Sequence, residues 1–470
     1  MDETTLAGPE KRWNRQNGGR SEVFALCLIW CGHTPSRVGE ILLVDTFGSG
    51  FLGRGEVKSP GRLRLRQIRP GRSREMGPLE SPSLSRKQLK ITMQREGIQV
   101  QNVGRCRMQV DGVETSESVL VEGQTLEVVD ELVFLCVRTV PFFEKELAGY
   151  RHEFGAPDRF GLVGESAVLW DLRDQIERVS IGTSHVLISG PSGTGKELVA
   201  GALHQNSSWS GKALVARNAA TIPEALMDAE LFGNIRDYPN AGMPERMGIV
   251  GAANGSTLFL DEVGELAESL QAHLLRVLDG GEYQRLGDPS VRRSKFRLIG
   301  ATNRETSALK EDVLARFRVR LELAGLDARR QDIPLLVVHL LRKMADEYPE
   351  IGRRFFDGSI PRIAPGLMCA LVTHIYTTHI RELDRILWAC TEGSAGDYVE
   401  IVSGCGLEIE AVVVDEKSGQ AALDKEVIER CLEKHQWNQS KVWPELGLRN
   451  RHQLARLMKK HGIHSGRSSA

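Results

Sequence analysis

The sequence predicts a multidomain fold in three parts: an N-terminal all-β sandwich, a central α/β domain with a helical lid, and a C-terminal all-α domain. Three observations support this division. Before residue 138, short apolar or alternating runs are separated by turn residues, which is typical of a sandwich. From residue 160, strand-like runs alternate with helical stretches, which indicates a parallel sheet covered by helices. A basic helical segment follows from about residue 423.

Bulk composition excludes several classes of protein. The 470 residues are enough for two to four domains, and 41% apolar with 26% charged residues is typical of a globular protein. The net charge of −1 gives no overall attraction for nucleic acid, so any such surface must be local. No apolar run approaches the roughly 18 residues of a membrane helix, and the eight scattered cysteines form no CxxC pair. We therefore expect a cytoplasmic protein with reduced thiols and no membrane partner.

The pattern along the chain predicts the boundaries of the domains and linkers. The segments are a disordered N-terminus (1–21), the sandwich (22–137), a linker (138–159), the α/β core (160–328), the helical lid (329–395), a second linker (396–422) and the C-terminal helical domain (423–465). In the sandwich, the expected strands cover residues 23–30, 40–44, 62–68, 88–93, 98–101, 126–128 and 132–137. In the α/β core they cover residues 185–189, 214–217, 257–260 and 296–301.

A glycine-rich loop follows the first predicted strand of the α/β core. The strand leads directly into the sequence GPSGTGKE, which opens a helix and matches the P-loop pattern. The residues of this loop are Gly190, Pro191, Ser192, Gly193, Thr194, Gly195, Lys196 and Glu197. The glycines allow backbone N–H groups to face a phosphate, and we expect Lys196 to reach the β and γ phosphates of ATP. Glu197 stands where a Ser or Thr hydroxyl usually binds magnesium, so we expect no such ligand here.

Polar residues also end two later strands of the α/β core. Residues 257–260 form an apolar run that ends in Asp261 and Glu262, at the edge of the sheet where ligands bind in open α/β folds. We expect Asp261 to hold Mg2+ and Glu262 to polarise an attacking water. The strand at 296–301 is followed by Thr302 and Asn303, which are suited to sensing a γ-phosphate. With the glycine-rich loop, these residues predict a site that hydrolyses ATP.

The central region resembles one known family, the AAA+ activators of sigma-54 RNA polymerase (bacterial enhancer-binding proteins). The resemblance covers about residues 160–390. Besides the P-loop, its motifs are VGES at 163–166, ELFG at 230–233, GSTLFLDEVGEL at 255–266, LQAHLLRVLDGGEYQRLG at 270–287, RLIGATNR at 297–304 and DARRQDIPLL at 327–336. The resemblance implies ATP and Mg2+ as cofactors and sigma-54 RNA polymerase as a partner.

The same resemblance implies roles for individual residues. Asn218 would couple the state of the nucleotide to Glu262. Arg316 falls on the position of an arginine finger that enters the neighbouring subunit's site, which implies a ring of identical subunits, by analogy a hexamer. The family's other finger position is occupied by Lys310, which keeps the charge but lacks the planar fork. Arg381, in the sequence HIREL, matches the second sensor of the helical lid.

One loop departs from the family pattern. After ELFG the family carries GAFTGA, whose Phe and Thr grip the sigma factor, whereas residues 237–242 here read DYPNAG. The length is kept, and Tyr238 and Pro239 could still form a ring of apolar tips around a pore. Two interpretations stay open: a remodelling loop with altered tips, or a surface turn with no remodelling role.

The N-terminal sandwich resembles a forkhead-associated (FHA) domain, a class that reads phosphothreonine peptides. The resemblance rests on Arg54 at the end of one strand, Ser85 and Arg86 before another, and a loop at residues 102–112. It implies that Arg54, Ser85 and Arg86 bind the phosphate through guanidinium and hydroxyl groups. Gln88 stands where the family has a structural His. The alternative is a sandwich used only for dimerisation or docking.

The C-terminal tail resembles the Fis-type helix-turn-helix that ends the same family. From Asn438 to Ala470 there are seven Lys or Arg residues against one acid, Glu445. The residues expected to face the DNA major groove or its phosphates are Asn450, Arg451, His452, Gln453 and Arg456. The implied partner is DNA at a promoter-distal site. The alternative is a basic helical tail with no DNA site.

These interpretations combine into three hypotheses. The first is an ATP-dependent transcription regulator of the sigma-54 activator type, controlled by the FHA-like domain. The second keeps ATP and DNA binding but lacks the contact with sigma-54. The third is a phosphopeptide-binding scaffold whose motor is idle; Lys196, Asp261 and Glu262 speak against it.

Overall fold

The computed structural model describes residues 22–44, 48–55, 61–141, 147, 149–304, 309–407, 431, 432, 434, 435 and 442. The chain divides into two compact units, residues 1–407 and 408–470. Most of the second unit lies outside the described residues, and the expected helix-turn-helix falls there. Within the described part of the chain, no helix has the length and apolar character needed to cross a bilayer.

The N-terminal region forms two antiparallel sheets. Its strands are β1 (Val23–Cys31), β2 (Ile41–Leu42), β3 (Ser49–Leu52), β4 (Leu65–Arg69), β5 (Arg72–Glu75), β6 (Leu89–Met93), β7 (Ile98–Asn102), β8 (Met108–Val110), β9 (Val113–Glu114), β10 (Glu117–Leu120), β11 (Thr125–Val128) and β12 (Leu132–Thr139). One sheet has the order β5-β4-β2-β1-β12-β11-β8-β9 and the other the order β10-β7-β6-β3. Buried side chains from both sheets pack into one core between them, including Leu28, Leu89, Val100 and Phe134. The predicted all-β region is therefore confirmed.

The central region is an α/β domain. Its elements are α1 (Ala167–Ser180), β13 (Val186–Ser189), α2 (Lys196–Gln205), β14 (Val215–Asn218), α3 (Glu224–Phe232), α4 (Ile249–Ala252), β15 (Thr257–Asp261), α5 (Glu268–Gly280), β16 (Glu282–Tyr283), β17 (Arg292–Arg293), β18 (Arg297–Thr302), α6 (Glu311–Arg316) and β19 (Val319–Glu322). Five strands form a parallel sheet in the order β14-β15-β18-β13-β19. Successive residues of β13 are buried on opposite faces: Val186 packs in the core that contains α2, and Leu187 in the core that contains α5. Helices therefore cover both faces, as the pattern predicts.

The helical lid follows the sheet. It consists of α7 (Ile333–Glu347), α8 (Pro349–Phe355), a small hairpin of β20 (Phe356–Asp357) and β21 (Ile360–Pro361), α9 (Pro365–Thr373) and α10 (His379–Gly393). Asp332, just before α7, is fully buried and accepts hydrogen bonds from the backbone N–H groups of Glu165 and Ser166, at 2.7 and 2.8 Å. The lid is thereby tied to the start of α1.

The sandwich packs directly against the lid. One face of β1 and β12 (Leu28 and Phe134 among others) belongs to the sandwich core. The opposite face belongs to the core of the lid and the α/β domain, and its buried residues are Ala25, Cys27, Ile29, Val133, Leu135 and Val137. The indole Nε1 of Trp30 donates a hydrogen bond to the carbonyl of Ile363, before α9, at 2.7 Å. Both strands are continuous apolar runs because both of their faces are buried.

Candidate functional site

The glycine-rich loop connects β13 to α2 and lies under the lid. Gly193 has φ +76°, and a Cβ built on it would lie 2.1 Å from the carbonyl oxygen of Thr378 in the lid. Gly195 has φ +98° and caps α2. Since side chains rarely adopt such angles and one would strike the lid, glycine is required at Gly193. The sequence placed this loop correctly between strand and helix.

Lys196 is the first residue of α2 and points back over the loop. Its Nζ donates hydrogen bonds to the carbonyls of Gly190 and Pro191, at 2.9 and 3.1 Å. The side chain is 8% exposed, and this burial lowers the pKa of Lys196, while the charges of Glu262 and Asp261 act to raise it. A partly desolvated cation that faces two acids and a ring of backbone groups is suited to a phosphate.

The two acids stand at the carboxyl end of β15, an interior strand of the sheet. Asn218 and Asp261 are register partners on β14 and β15, and the Asn218 amide Nδ2 donates to Asp261 Oδ2 at 3.2 Å. Glu262 has φ +52°, and its carboxylate accepts a hydrogen bond from the backbone N–H of Asn303 at 3.3 Å. The structure thus joins Asn218 to Asp261, whereas the resemblance implies a link from Asn218 to Glu262. The reason is the register, which aligns Asn218 with Asp261.

The same acids decide whether a magnesium ion fits. Among the residues that the structure describes, no cluster of three or more His, Cys, Asp or Glu side chains is suited to a metal ion. Mg2+ in nucleotide sites usually takes one or two carboxylates together with waters and substrate phosphates. Asp261, with Glu262 beside it, provides this smaller donor set at the end of β15, so the residues fit a magnesium ion that arrives with a nucleotide.

Arg381 and its neighbours bring the lid to the loop. Arg381, in the first turn of α10, donates through Nη1 to the hydroxyl of Ser192 at 3.1 Å. The backbone N–H of Ile380 donates to the carbonyl of Gly193 at 3.1 Å. Arg329, which the sequence interpretation did not single out, reaches the carbonyl of Thr194 at 3.5 Å and is almost fully buried. The lid therefore contacts the loop at three successive residues.

Glu382 holds the turn that presents Arg381, and the sequence interpretation missed it. Its carboxylate accepts hydrogen bonds from the backbone N–H groups of Thr377 and Thr378, at 2.7 and 3.0 Å, and contacts His374 Nε2 at 3.0 Å. Burial alone would raise the pKa of Glu382, but these hydrogen bonds from His374, Thr378 and Thr377 outweigh it and lower the pKa to about 2. An ionised carboxylate is thus built into the first turn of α10, where the helix dipole also favours it.

The candidate finger residues contact their own subunit. Arg316, the last residue of α6, forms an ion pair with Asp279 of α5. Lys310, just before α6, pairs with Glu268 at 3.4 Å. Neither side chain is seen to contact Lys196 or Glu262.

The loop at residues 237–242 is a compact turn. The Asp237 side chain accepts from the backbone N–H of Gly242 at 2.7 Å, and the Asp237 N–H donates to the carbonyl of Met243 at 2.9 Å. The ring of Tyr238 lies against Gly287, where a Cβ would come within 2.6 Å of the ring, and remains 42% exposed. The tip of this loop is therefore supported by the neighbouring loop between β16 and β17.

In the sandwich, the predicted phosphate-binding residues come together at one end. The backbone N–H of Arg54 donates to the carbonyl of Ser85 at 3.1 Å, and the side chains of Arg54 and Arg86 are exposed. Ser85 Oγ accepts from the backbone N–H of Arg105 at 3.0 Å. The guanidinium of Arg62 binds the carbonyls of Gly53, Arg54, Gly55 and Arg86 and so fastens the two arginine-bearing loops together.

Gln88 supports this end of the sandwich from below. Its side chain is 1% exposed, donates to Asn102 Oδ1 and to the carbonyl of Cys106 (2.9 and 3.0 Å), and accepts from the backbone N–H of Ser85 at 3.2 Å. It thereby links the loop of Ser85 with the loop at 102–112. The DNA-contact candidates Asn450, Arg451, His452, Gln453 and Arg456 lie outside the described residues.

The geometry of this site and the similarity to known proteins indicate the same class of protein. The parallel sheet, the glycine loop and the carboxylates at the end of β15 define a P-loop nucleotide-binding fold. The sigma-54 interaction domain family matches residues 162–324. The transcriptional regulatory protein ZraR of Salmonella typhimurium is 34% identical over 73% of this chain and 80% of its own length. The Nif-specific regulatory protein of Azotobacter vinelandii is 33% identical, over 72% of this chain and 67% of its own.

Two further known proteins are similar to this chain. The regulatory protein AtoC of Escherichia coli is 30% identical over 71% of this chain and 76% of its own length. The crystal structure of NtrX from Brucella abortus in complex with ATP is 29% identical, covering 64% of this chain and 69% of that one with a TM-score of 0.45. The chain belongs to the family of sigma-54-dependent transcriptional regulators, and its central region is an AAA+ domain.

Proposed function

We propose that this protein is an ATP-dependent transcription regulator of the sigma-54 activator type. The observation that carries the proposal is the meeting of Lys196, Asp261, Glu262, Asn303 and Arg381 around the glycine loop at the carboxyl edge of the sheet. These residues come from the start of α2, the ends of β15 and β18, and the first turn of α10, and each has the chemistry that binding or hydrolysis of a triphosphate requires.

The chemistry follows from these positions. The N–H groups of the loop and the Lys196 ammonium bind the phosphates, and a magnesium ion held by Asp261 would neutralise charge on them. Glu262 orients and polarises the water that attacks the γ-phosphate. Thr302 and Asn303 stand at the end of β18, one strand away, and Arg381 closes the site from the lid. Pro191, Ser192 and Thr194 complete the loop, and Glu197 lies in the first turn of α2.

The site is completed by a second copy of the chain. Arg316 lies on the protein surface and is 40% exposed on its side chain, which leaves it accessible to a neighbour in a ring, by family analogy a hexamer. An arginine finger supplied in trans raises the rate of phosphoryl transfer by a factor on the order of 10³–10⁵. Hydrolysis then depends on assembly.

The sandwich is the proposed sensor. Its cluster of Arg54, Ser85 and Arg86 has the groups to bind a phosphothreonine peptide, and Gln88 and Arg62 support the loops that carry them. Its other surface, on β1 and β12, packs on the lid that carries Arg381. A change in the sandwich can therefore reach the nucleotide site through its packed contact with the lid.

DNA binding is proposed for the tail. Seven basic residues against one acid between Asn438 and Ala470 favour phosphate contacts. With DNA binding at a promoter-distal site, the tail would keep the ring near its promoter.

A second candidate function is a regulator that binds ATP and DNA without contacting sigma-54. The supporting observation is the loop at 237–242, which reads DYPNAG in place of GAFTGA and is held by Asp237 and by the packing of Tyr238 on Gly287. The third candidate is a phosphopeptide-binding scaffold with an idle motor. It requires that the nucleotide-site residues, although all are present, take no part in ATP hydrolysis.

One experiment separates these functions. ATPase activity of the full chain is measured against protein concentration, with and without sigma-54 RNA polymerase holoenzyme, for the parent and for Glu262→Gln. The proposal expects activity that rises with concentration, open-complex formation with the holoenzyme, and loss of at least about 100-fold in the Glu262→Gln variant. ATPase activity without open-complex formation selects the second function. Activity in Glu262→Gln equal to the parent's overturns the site assignment.

A further inference from the structure

Helix α5 carries an acid near each end, and each acid pairs with one of the two candidate finger cations. Glu268 is the first residue of α5 and contacts Lys310 at 3.4 Å. Asp279 lies one residue before the end of α5 and pairs with Arg316. Lys310 and Arg316 bracket α6, so both ends of this short helix are linked to α5.

The pair of Asp279 and Arg316 is bidentate. The guanidinium Nε donates to Asp279 Oδ1, and Nη2 donates to Oδ2 at 3.2 Å. The hydrogen bonds that Arg316 donates to Asp279, and then the negative charge of Asp279, raise the pKa of Arg316. Two parallel bonds of this kind fix the orientation of the guanidinium as well as its position.

The distance between the two residues is set by the core beneath them. Leu274 and Val277 of α5 are buried together with Val313 of α6 and with Phe317, which follows it. This shared core packs the two helices together at this point and places Asp279 within reach of Arg316. The two side chains themselves are 47% and 40% exposed, so solvent can replace the ion pair when a stronger partner arrives.

The same edge of the guanidinium serves both partners. A finger that stabilises the γ-phosphate in a neighbouring subunit uses its fork of N–H donors. In the free subunit, Nε and Nη2 of that fork are occupied by Asp279. The intramolecular pair and the intersubunit contact therefore compete for the same atoms.

We propose that Asp279 is a positioning residue that holds Arg316 within its own subunit and so raises the protein concentration at which the ring becomes an active ATPase. This inference rests on the proposed function, in which Arg316 acts in the neighbour's site. Assembly transfers Arg316 from Asp279 to the phosphates across the interface. Glu268 acts in the same way on Lys310, through a single contact with a more exposed acid.

The test compares ATPase activity against protein concentration for the full-length parent and Asp279→Asn at saturating ATP. Because exposed ion pairs are weak, the concentration for half-maximal activity should fall by about two- to fivefold in Asp279→Asn. The maximal rate at high concentration should remain that of the parent. Salt should reduce the difference between the two proteins, since it screens the pair in the parent only.

Two variants make the outcome unambiguous. Asp174→Asn removes the half-buried acid of another surface ion pair, with the exposed Arg178 on α1 at 2.9 Å, and should leave the concentration dependence unchanged. Arg316→Ala should abolish most activity at every concentration. If Arg316→Ala is as active as the parent, the finger, and with it the proposed assembly-dependent site, is wrong. If Arg316→Ala is inactive while Asp279→Asn has an unchanged or higher half-maximal concentration, or a lower maximal rate, the competitive role of Asp279 alone is overturned.

Discussion

Arg381 on the lid and Ser192 in the glycine loop are joined by a hydrogen bond from Nη1 to Oγ of 3.1 Å. It lies beside the close approach of Thr378 to Gly193. The lid thus contacts the glycine loop directly, so a movement of the loop on nucleotide binding is expected to move the lid as well.

Gly193→Ala should weaken nucleotide binding. The new Cβ would lie 2.1 Å from the Thr378 carbonyl oxygen, a backbone atom, and the residue would keep a positive φ of +76°. Strain of about 1–3 kcal/mol corresponds to a loss of affinity on the order of 5- to 150-fold. Isothermal titration with ADP measures it. Gly201→Ala, in α2 with open space around its Cβ position, is the control and should bind as the parent does; equal affinities for all three proteins would contradict the prediction.

Glu382→Gln should destabilise the lid by about 1–3 kcal/mol at pH 7, because a charged acceptor of hydrogen bonds from Thr377, Thr378 and His374 is lost. The pKa of Glu382 is lowered from its ordinary 4.5 to about 2, so the contribution is fully present above pH 4.5 and is lost as the pH falls toward 2. Denaturant unfolding at several pH values checks both points. Glu392→Gln, an exposed change on the same helix, should have no such effect.

His152→Phe should flatten the dependence of stability on pH. His152 stacks on Trp170 with ring centroids 5.8 Å apart, and neither of its ring nitrogens has a hydrogen-bond partner among the described residues. Burial, and then the charges of Arg173 and Arg69, lower the pKa of His152 from 6.5 to about 4.

The sign of the effect follows from linkage. The unfolded chain takes up a proton at His152 below pH 6.5, whereas the folded chain does so only near pH 4, so the parent loses up to about 1.4 kcal/mol per pH unit between these values. Phe keeps the stacking on Trp170 and cannot titrate. Unfolding free energies at pH 7.5 and pH 5 should differ less in the variant, and an equal difference in both proteins would show that His152 does not titrate in this way.

Trp30→Phe should loosen the contact between sandwich and lid. The change removes the donor to the Ile363 carbonyl at 2.7 Å and leaves that carbonyl without this partner, which costs about 1–3 kcal/mol. Thermal unfolding and hydrogen exchange of α9 report the change. Trp209→Phe, in the α/β domain, is the matched control. Protection of α9 that is unchanged in Trp30→Phe would speak against a rigid contact.

The placement of the candidate nucleotide-site residues on their strands and loop could be predicted from the sequence because its signals are local. The glycine loop, Lys196, and the run that ends in Asp261 and Glu262 each occupy a few consecutive residues, and the observed strands match the expected ones to within a few residues. Edge strands such as β19 (Val319–Glu322) were missed because they are short and partly polar.

Contacts between distant parts of the chain could not be predicted in this way. The apolar run of β1 indicates burial on both faces, but nothing local identifies α9 as the cover. Asp279 and Arg316 are 37 positions apart, and their pairing depends on how α5 packs on α6. The partner of Asn218 depends on the strand register. The DNA-contact residues of the tail remain predictions, since they fall outside the described residues.

The double burial of β1 and β12 bears on how such a regulator can evolve. A domain that is joined to its neighbour only by a flexible linker can be exchanged by recombination, because the two domains share no packed interface. Here two central strands of the sandwich also complete a hydrophobic core that belongs to the lid. A substitute domain would have to present an equally apolar sheet to α9. The sandwich and the lid are therefore expected to have been inherited together and to have diverged together.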